Sequence, residues 1–318
     1  MRPAIDIERI LAHYDLGRLI HVQSAAHGFV NQTAVVVTEG GRFVVRRNHQ
    51  RFGLPAQRRR HALIGRLYAG GIPTAPLVAA RDGETLVVID GRGCEVQEYI
   101  AGDDFDPQCP AQLDSIGMLL AQYHEVAATA APPVTDDPPR YTPQRIGALV
   151  EQLLERDVMG ELHDALAWYG DRAAQLRIRL PDELRATLPR TIIHGDIHPD
   201  NLRFCGAHVS ALLDFDQAAT DVRIVDLAEA LVAFAGERRP EELWGVFRGP
   251  LDPLRAARLC AAYQAHSPLS SAEHVALPVL IECLWLTGEL GRVISTPEGA
   301  PEYHLAVLDQ GHRLAAEL

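Results

Sequence analysis

The polar and apolar positions of the first hundred residues alternate in short runs. Thr33 to Thr38 (TAVVVT) and Arg42 to Arg47 (RFVVRR) are β-branched stretches around Glu39-Gly40-Gly41, which predicts a hairpin. Residues 56–69 follow with a helical pattern that Gly70-Gly71 and Pro73 end. Two further strands are expected at Glu84 to Asp90 and Glu95 to Ile100, around a turn at Gly91-Arg92-Gly93. Beyond Ala101-Gly102 the period becomes helical, with segments near 110–127, 143–156, 160–179, 222–235, 252–265, 272–293 and 302–317. Residues 131–139 read as a Pro-rich loop. Only 191–216 interrupts the helical half, with β-like runs at 191–193, 202–204 and 209–213. The pattern predicts an α+β chain of two lobes with a cleft between them, a strand-rich lobe over 1–100 and a helical lobe over 101–318.

Composition narrows what that cleft can do. The 42 acids outweigh 30 cations, giving −12, so a sequence-independent grip on nucleic acid is not expected. Every cation is an arginine. The absence of lysine removes Schiff-base chemistry and the lysine of a Walker-type phosphate loop. Five scattered cysteines without C-x-x-C spacing read as free thiols in a reducing compartment. The most apolar stretch, Val275 to Leu286, contains Pro278 and Glu282 and is too short for a membrane span. The start of the chain carries Asp6 and Glu8 in place of an apolar leader. These features lead us to expect a cytoplasmic protein, monomeric or homodimeric, with no membrane association.

The densest polar cluster is His194-Gly-Asp-Ile-His-Pro-Asp-Asn201, followed by Asp214-Phe-Asp216. Asp196 and Asn201 are five apart, and Asp214 follows thirteen later beyond a short hairpin turning at Gly206. That is the spacing of a kinase catalytic loop and metal loop. Phosphoryl transfer needs these types because its transition state spreads negative charge, which Mg²⁺ neutralises, and hard carboxylate and amide oxygens hold Mg²⁺.

With these motifs the sequence resembles the aminoglycoside phosphotransferase and choline kinase-like family along most of its length. Gly28-Phe-Val-Asn31-Gln-Thr33 is similar to the family's segment over the nucleotide phosphates. Val96-Gln97-Glu98-Tyr99-Ile100-Ala-Gly102 is similar to its connector between lobes, and Asp226-Leu-Ala228 to its helix-opening D-L-A. The resemblance implies a protein-kinase-like fold with catalytic loop 194–201 and metal loop 214–216. It also implies ATP, or GTP, with Mg²⁺, and transfer of a γ-phosphoryl group to a small-molecule hydroxyl. Asp196 would be the base or hydroxyl-orienting carboxylate, Asn201 and Asp214 the metal ligands, and Asp216 a supporting or substrate-side acid. His194 and His198 would order the loop, while Glu98 and Ile100 would offer backbone to adenine.

One departure stands out. Where the family commonly has a strand lysine paired with a helix glutamate, this chain has Arg46, and residues 56–68 hold no acid, with Arg60 at the aligned position. Strand alternation sets Val44 on the same face as Arg46 and turns Arg47 away. Arg46 either grips phosphate through its planar fork or is a surface arginine, with nucleotide binding altered. The missing pair keeps open a nucleotide-binding pseudokinase that acts as a partner-binding module.

Gly195-Asp-Ile-His198 also resembles the opening motif of calcineurin-like metallophosphoesterases, a more distant alternative, but the G-D-x-x-D and G-N-H that should follow do not. His194 and His198 have a zinc-compatible spacing, though Gly195 and Pro199 favour a loop. Asp226 is expected to brace backbone N–H groups, and His124 to be a core histidine. Acceptor candidates are Asp103 and Asp104 after the connector, and Glu282, Trp285 and Glu289, which share a helix face. A solvated loop and solvent-facing acids beside a half-buried tryptophan are the plain alternatives for those two groups.

Overall fold

The computed structural model describes residues 5–24, 31–129, 138–157, 160–236, 250–297 and 299–316. Gly28 and residues 131–137 of the Pro-rich loop lie outside the described residues. A short helix α1 (Ile7–Leu11) precedes an antiparallel sheet of β1 (Leu19–Ser24), β2 (Gln32–Thr38), β3 (Gly41–Arg47), β4 (Val87–Ile89) and β5 (Arg92–Glu98). The strand order is β1-β2-β3-β5-β4, with α2 (Leu54–Ala69) between β3 and β4 in the chain. The β2–β3 hairpin is the one the alternation predicts. The last hairpin turns one step earlier than expected, at Asp90 and Gly91, whose φ values of 51° and 72° suit a two-residue type I′ turn. Arg92 and Gly93 therefore belong to β5. Strand β1 escaped the sequence reading because it is an edge strand with Ile20, His21, Val22 and Gln23 all exposed, so its pattern has no inward period.

The second lobe contains α3 (Pro110–Ala128), α4 (Pro143–Leu154), α5 (His163–Arg179), α6 (Asp182–Thr187), α7 (Ile224–Ala230), α8 (Pro253–Gln264), α9 (Ser271–Ser295) and α10 (Pro301–Ala316). Between α6 and α7 lie two small hairpin-like pairs, β6 (Arg190–Ile193) with β9 (Ala219–Val222) and β7 (Leu202–Cys205) with β8 (His208–Leu212). The segment predicted as helix from 222 starts only at Ile224, because Ala219 to Val222 pair with β6. Among the described residues no helix is long and apolar enough to cross a membrane.

Two apolar clusters frame the cleft. Phe43, Val45 and Val96 pack with Ile10 and Tyr14 on one face of the sheet. Leu63, Ile64 and Leu67 of α2 belong to the much larger cluster of the helical lobe. Helix α2 thus gives its apolar side to the second lobe. The earlier turns of the same buried face bring Gln57, Arg60 and His61 toward the sheet, where β3 and β5 present Arg46 and Glu95, opposite one another in register. The layer between α2 and the sheet is therefore ionic, and its groups need partners.

Candidate active site

Strand β6 ends in buried Ile193, and the chain turns sharply at His194 and Gly195. Buried Asp226, in the first turn of α7, accepts from His194 N and Gly195 N at 2.8 Å each, and from His124 Nε2 at 3.0 Å. His124 also bonds Tyr263, so both the brace and the core histidine take the places expected of them. Gly195 has φ 72°, and a Cβ there would stand 2.8 Å from Gln217 O, so the close passage of the two loops needs glycine. His194 donates from Nε2 to Leu213 O and lies against the Phe215 ring. Burial lowers the pKa of His194, favouring the neutral ring.

Asp196 follows, its side chain 38% exposed. Asn201 Nδ2 donates to Asp196 O and Asp196 Oδ2 at 2.9 and 3.2 Å, and His198 Nε2 lies 3.5 Å from the same carboxylate oxygen. Burial by itself would raise the Asp196 carboxyl, but the hydrogen bond and charge of His198, with help from His194 and Asn201, hold it below the usual aspartate range. The reciprocal attraction of Asp196 raises His198 against the effect of its own burial. The pair is a carboxylate favoured in its ionised form beside an imidazole whose proton affinity it raises.

The 214–216 loop is tied to this one at two points. Leu213 N donates to Asn201 O at 2.8 Å, and Arg140 bridges Gly195 O and Gln217 O at 2.9 and 2.6 Å. Asp214 takes a left-handed conformation, φ 60° and ψ 77°, which aspartate tolerates better than most residues. Its Oδ1 accepts from Asp216 N at 3.3 Å.

Asp216 is buried. Its carboxylate, 6% exposed, accepts from Asn31 Nδ2 at 2.6 Å and from the guanidinium groups of Arg46 and Arg60. Arg46 is 8% exposed, which corrects the surface reading, and its Nη2 is also 3.3 Å from Asp214 Oδ1. Arg60 bonds Glu95 as well, and Glu95 accepts further from Asn48, His61 and Gln97. Burial opposes the charge on Glu95, yet Arg60 first and His61 next hold its pKa far down. The acid absent from α2 thus stands on the neighbouring strand, and the pair exists with its charges exchanged between elements.

Gln97 lines a small pocket together with Arg46, Arg60, Thr74 and Asp214. Val44 is half-buried on the cleft side of β3, and Thr33 pairs with Arg46 across β2 and β3. Past Gln97, Glu98 N bonds Pro76 O and Tyr99 N bonds Arg42 O, with the Arg42 guanidinium over the Tyr99 ring. After Ile100, Asp103 exchanges both backbone bonds with Phe204, so the connector is sewn to β7.

The acceptor candidates are not gathered at Asp196. Asp104 bonds Arg203 at 2.9 Å. Glu282, Trp285 and Glu289 share a face as expected, but the face is interior, correcting both the cleft-lining and the solvent-facing expectation. Glu282 is bound by Arg172 and Arg179 of α5, and Glu289 lies 3.6 Å from Arg292.

Glu229 was missed by sequence reasoning, as was Arg140. Glu229 is buried on α7, with Oε2 accepting from Ile197 N at 2.9 Å and Oε1 without a hydrogen-bond partner among the described residues. Burial, then the charge of Asp226, pushes its carboxyl up to about 8. Its unfolded value is about 4.3. The folded chain therefore binds more protons between these values, and stability falls as pH rises through that window. Glu229→Gln is expected to flatten the decline of melting temperature between about pH 5 and 8. An unchanged slope would remove Glu229 as its source.

A small sheet over a helical lobe, with an ionised aspartate, an asparagine five residues on and a second acidic loop tied beside them, defines a kinase-like phosphotransferase. Residues 21–267 match the phosphotransferase enzyme family, and the chain belongs to that family. It is an enzyme that phosphorylates a hydroxyl acceptor. The homoserine kinase of Granulibacter bethesdensis is 28% identical, over 97% of this chain and 92% of its own. The solved aminoglycoside phosphotransferase of Alicyclobacillus acidocaldarius has the same fold, with a TM-score of 0.69, 17% identity, and coverage of 100% of this chain and 94% of its own. An amicoumacin kinase solved in complex with AMP-PNP, Ca²⁺ and Ami superposes with a TM-score of 0.68 at 14% identity, covering 97% of this chain and 92% of its own. The family match sets aside the metallophosphoesterase resemblance of Gly195 to His198.

Proposed function

We propose that the chain transfers the γ-phosphoryl group of a nucleotide, ATP or GTP, with Mg²⁺, to the side-chain hydroxyl of an amino acid of the homoserine type. The observation that carries the transfer is the ionised Asp196, held by Asn201 and His198 in a loop braced by Asp226. Asp196 accepts or orients the acceptor's hydroxyl proton. Asn201 and Asp214 suit a hard cation: Asn201 spends Nδ2 on Asp196, leaving Oδ1 as its ligand atom, and Asp214 keeps Oδ2. When bound, Mg²⁺ supplies charge neutralisation at the phosphates. Gln97, Val44 and Arg46 lie where nucleotide would enter, and the backbone of Glu98 to Ile100 is the proposed adenine edge. The likeness to homoserine kinases along nearly the whole chain favours that acceptor class over the others in the family.

The test is phosphate transfer from ATP and GTP, with Mg²⁺, to homoserine, other hydroxy amino acids, choline and other amino alcohols, aminoglycosides, sugars and nucleosides. Homoserine is expected to exceed every other class in kcat/KM by about 10²-fold or more, since a site built for a specific polar group rejects acceptors lacking it. Faster transfer to an aminoglycoside or sugar would overturn the acceptor assignment. Nucleotide binding with no transfer to any of them would favour the partner-binding module.

A further inference from the structure

We propose that Arg60 is a positioning residue for nucleotide binding: it holds Asp216 so that Arg46 can leave that carboxylate for the polyphosphate without stranding a buried charge. This inference rests on the nucleotide-binding reading above.

Arg46 is engaged by both loop carboxylates, with its Nη2 shared between Asp214 and Asp216. A phosphate that recruits Nη2 therefore competes with these carboxylates. Asp216 is buried, and losing its positive partner would leave an uncompensated charge, the costly half of any buried ion pair. Arg60 removes that obstacle. It bonds Asp216 through the oxygen that Arg46 does not use, while Asn31 holds the other. After Arg46 leaves, Asp216 still has a cation on Oδ1 and an amide donor on Oδ2.

Arg46 is not required by Glu95 either, although the two face each other across β3 and β5. Glu95 is satisfied by Arg60, His61, Asn48 and Gln97. A lysine at position 60 could not span both carboxylates with the same geometry, whereas the guanidinium fork places one Nη on each. Arg60 also sits on a helix whose same buried face, a turn or two further on, is locked into the helical-lobe core through Leu63, Ile64 and Leu67. The single side chain thus ties α2, the sheet and the metal loop.

The probe is Mg²⁺ with ADP, its dissociation constant measured by calorimetry on the full chain. Arg60→Gln alone would bury Glu95 without its main cation, so the test variant is Arg60→Gln with Glu95→Gln, which removes both charges of that pair and keeps the fold. ADP affinity is expected to fall by about tenfold or more, because Arg46 is then the remaining guanidinium on Asp216. Adding Asp216→Asn should restore affinity to within about threefold of the native chain, since the competing charge is gone. Unchanged affinity in the double variant, or no recovery in the triple, overturns the proposal. Should the double variant not fold, Arg60→Lys with and without Asp216→Asn gives the same comparison, with weaker binding expected in the first and recovery in the second. If the native chain does not bind ADP, the nucleotide reading itself fails, an outcome distinct from these.

Discussion

Replacing Asp196 with asparagine is expected to lower kcat by about 10³-fold, within the range a positioned base contributes, with ADP affinity unchanged to within about twofold. Asparagine keeps the shape of the side chain, and the bond from Asn201 Nδ2 to the backbone carbonyl of residue 196 survives. What the substitution removes is the charge proposed to accept or orient the hydroxyl proton. The melting temperature should move little, since Asp196 is half-exposed and does not brace the fold. A variant that keeps kcat within tenfold of the native value would sink the assignment.

The same carboxylate is expected to set the acid limit of activity. Its folded pKa is depressed, chiefly by His198 acting against burial, so the active ionised form persists above that value and is lost as pH falls through it. Activity should therefore hold at pH values where an ordinary aspartate has begun to protonate. His198→Gln removes the favourable imidazole contact and should shift that limb upward. A limb that stays in place would show that His198 orders the loop without tuning Asp196.

The parts of this fold legible in the sequence are those written in a single stretch of chain. The β2–β3 hairpin is declared by two β-branched runs and a glycine turn, and the Asp196, Asn201 and Asp214 spacing fixes a loop, a hairpin and a second loop. The parts that were not legible depend on which strand lies beside which. Glu95 carries no signal of its own; it becomes the partner of Arg60 only because β5 lies next to β3, which places it under α2. Arg140 is equally silent, because it clamps Gly195 and Gln217 from the far side of a Pro-rich loop.

Helix α9 shows the same limit from another direction. The shared face of Glu282, Trp285 and Glu289 is correctly given by helical spacing, yet α9 is buried on nearly every side in this stretch, from Leu280 through Leu286. A helix apolar all round is an interior helix, and acids on it must find internal cations. The arginines of α5 that supply them for Glu282 lie over a hundred residues away in sequence. Periodicity tells which side chains travel together, and only packing tells what they face.

Asp226→Ala is expected to destabilise the chain by about 3–5 kcal/mol, the cost of removing one partner from a buried, fully bonded carboxylate site, and to abolish measurable transfer. Asp226 lies at 0% exposure and receives two backbone N–H groups of the catalytic loop and the His124 ring. Without it His194 N and Gly195 N are buried donors with no acceptor, and each costs about 1–3 kcal/mol unless water enters. Relief comes most readily by letting the loop move, which takes Asp196 out of place. Asp226→Asn keeps one carbonyl oxygen and should fall between the native chain and alanine in urea midpoint. Its activity loss should exceed its stability loss, because an amide cannot accept from both loop N–H groups and also from His124. If alanine at 226 changes stability by less than about 1 kcal/mol, the loop is held by other contacts, with Arg140 on Gly195 O and Gln217 O the next to test.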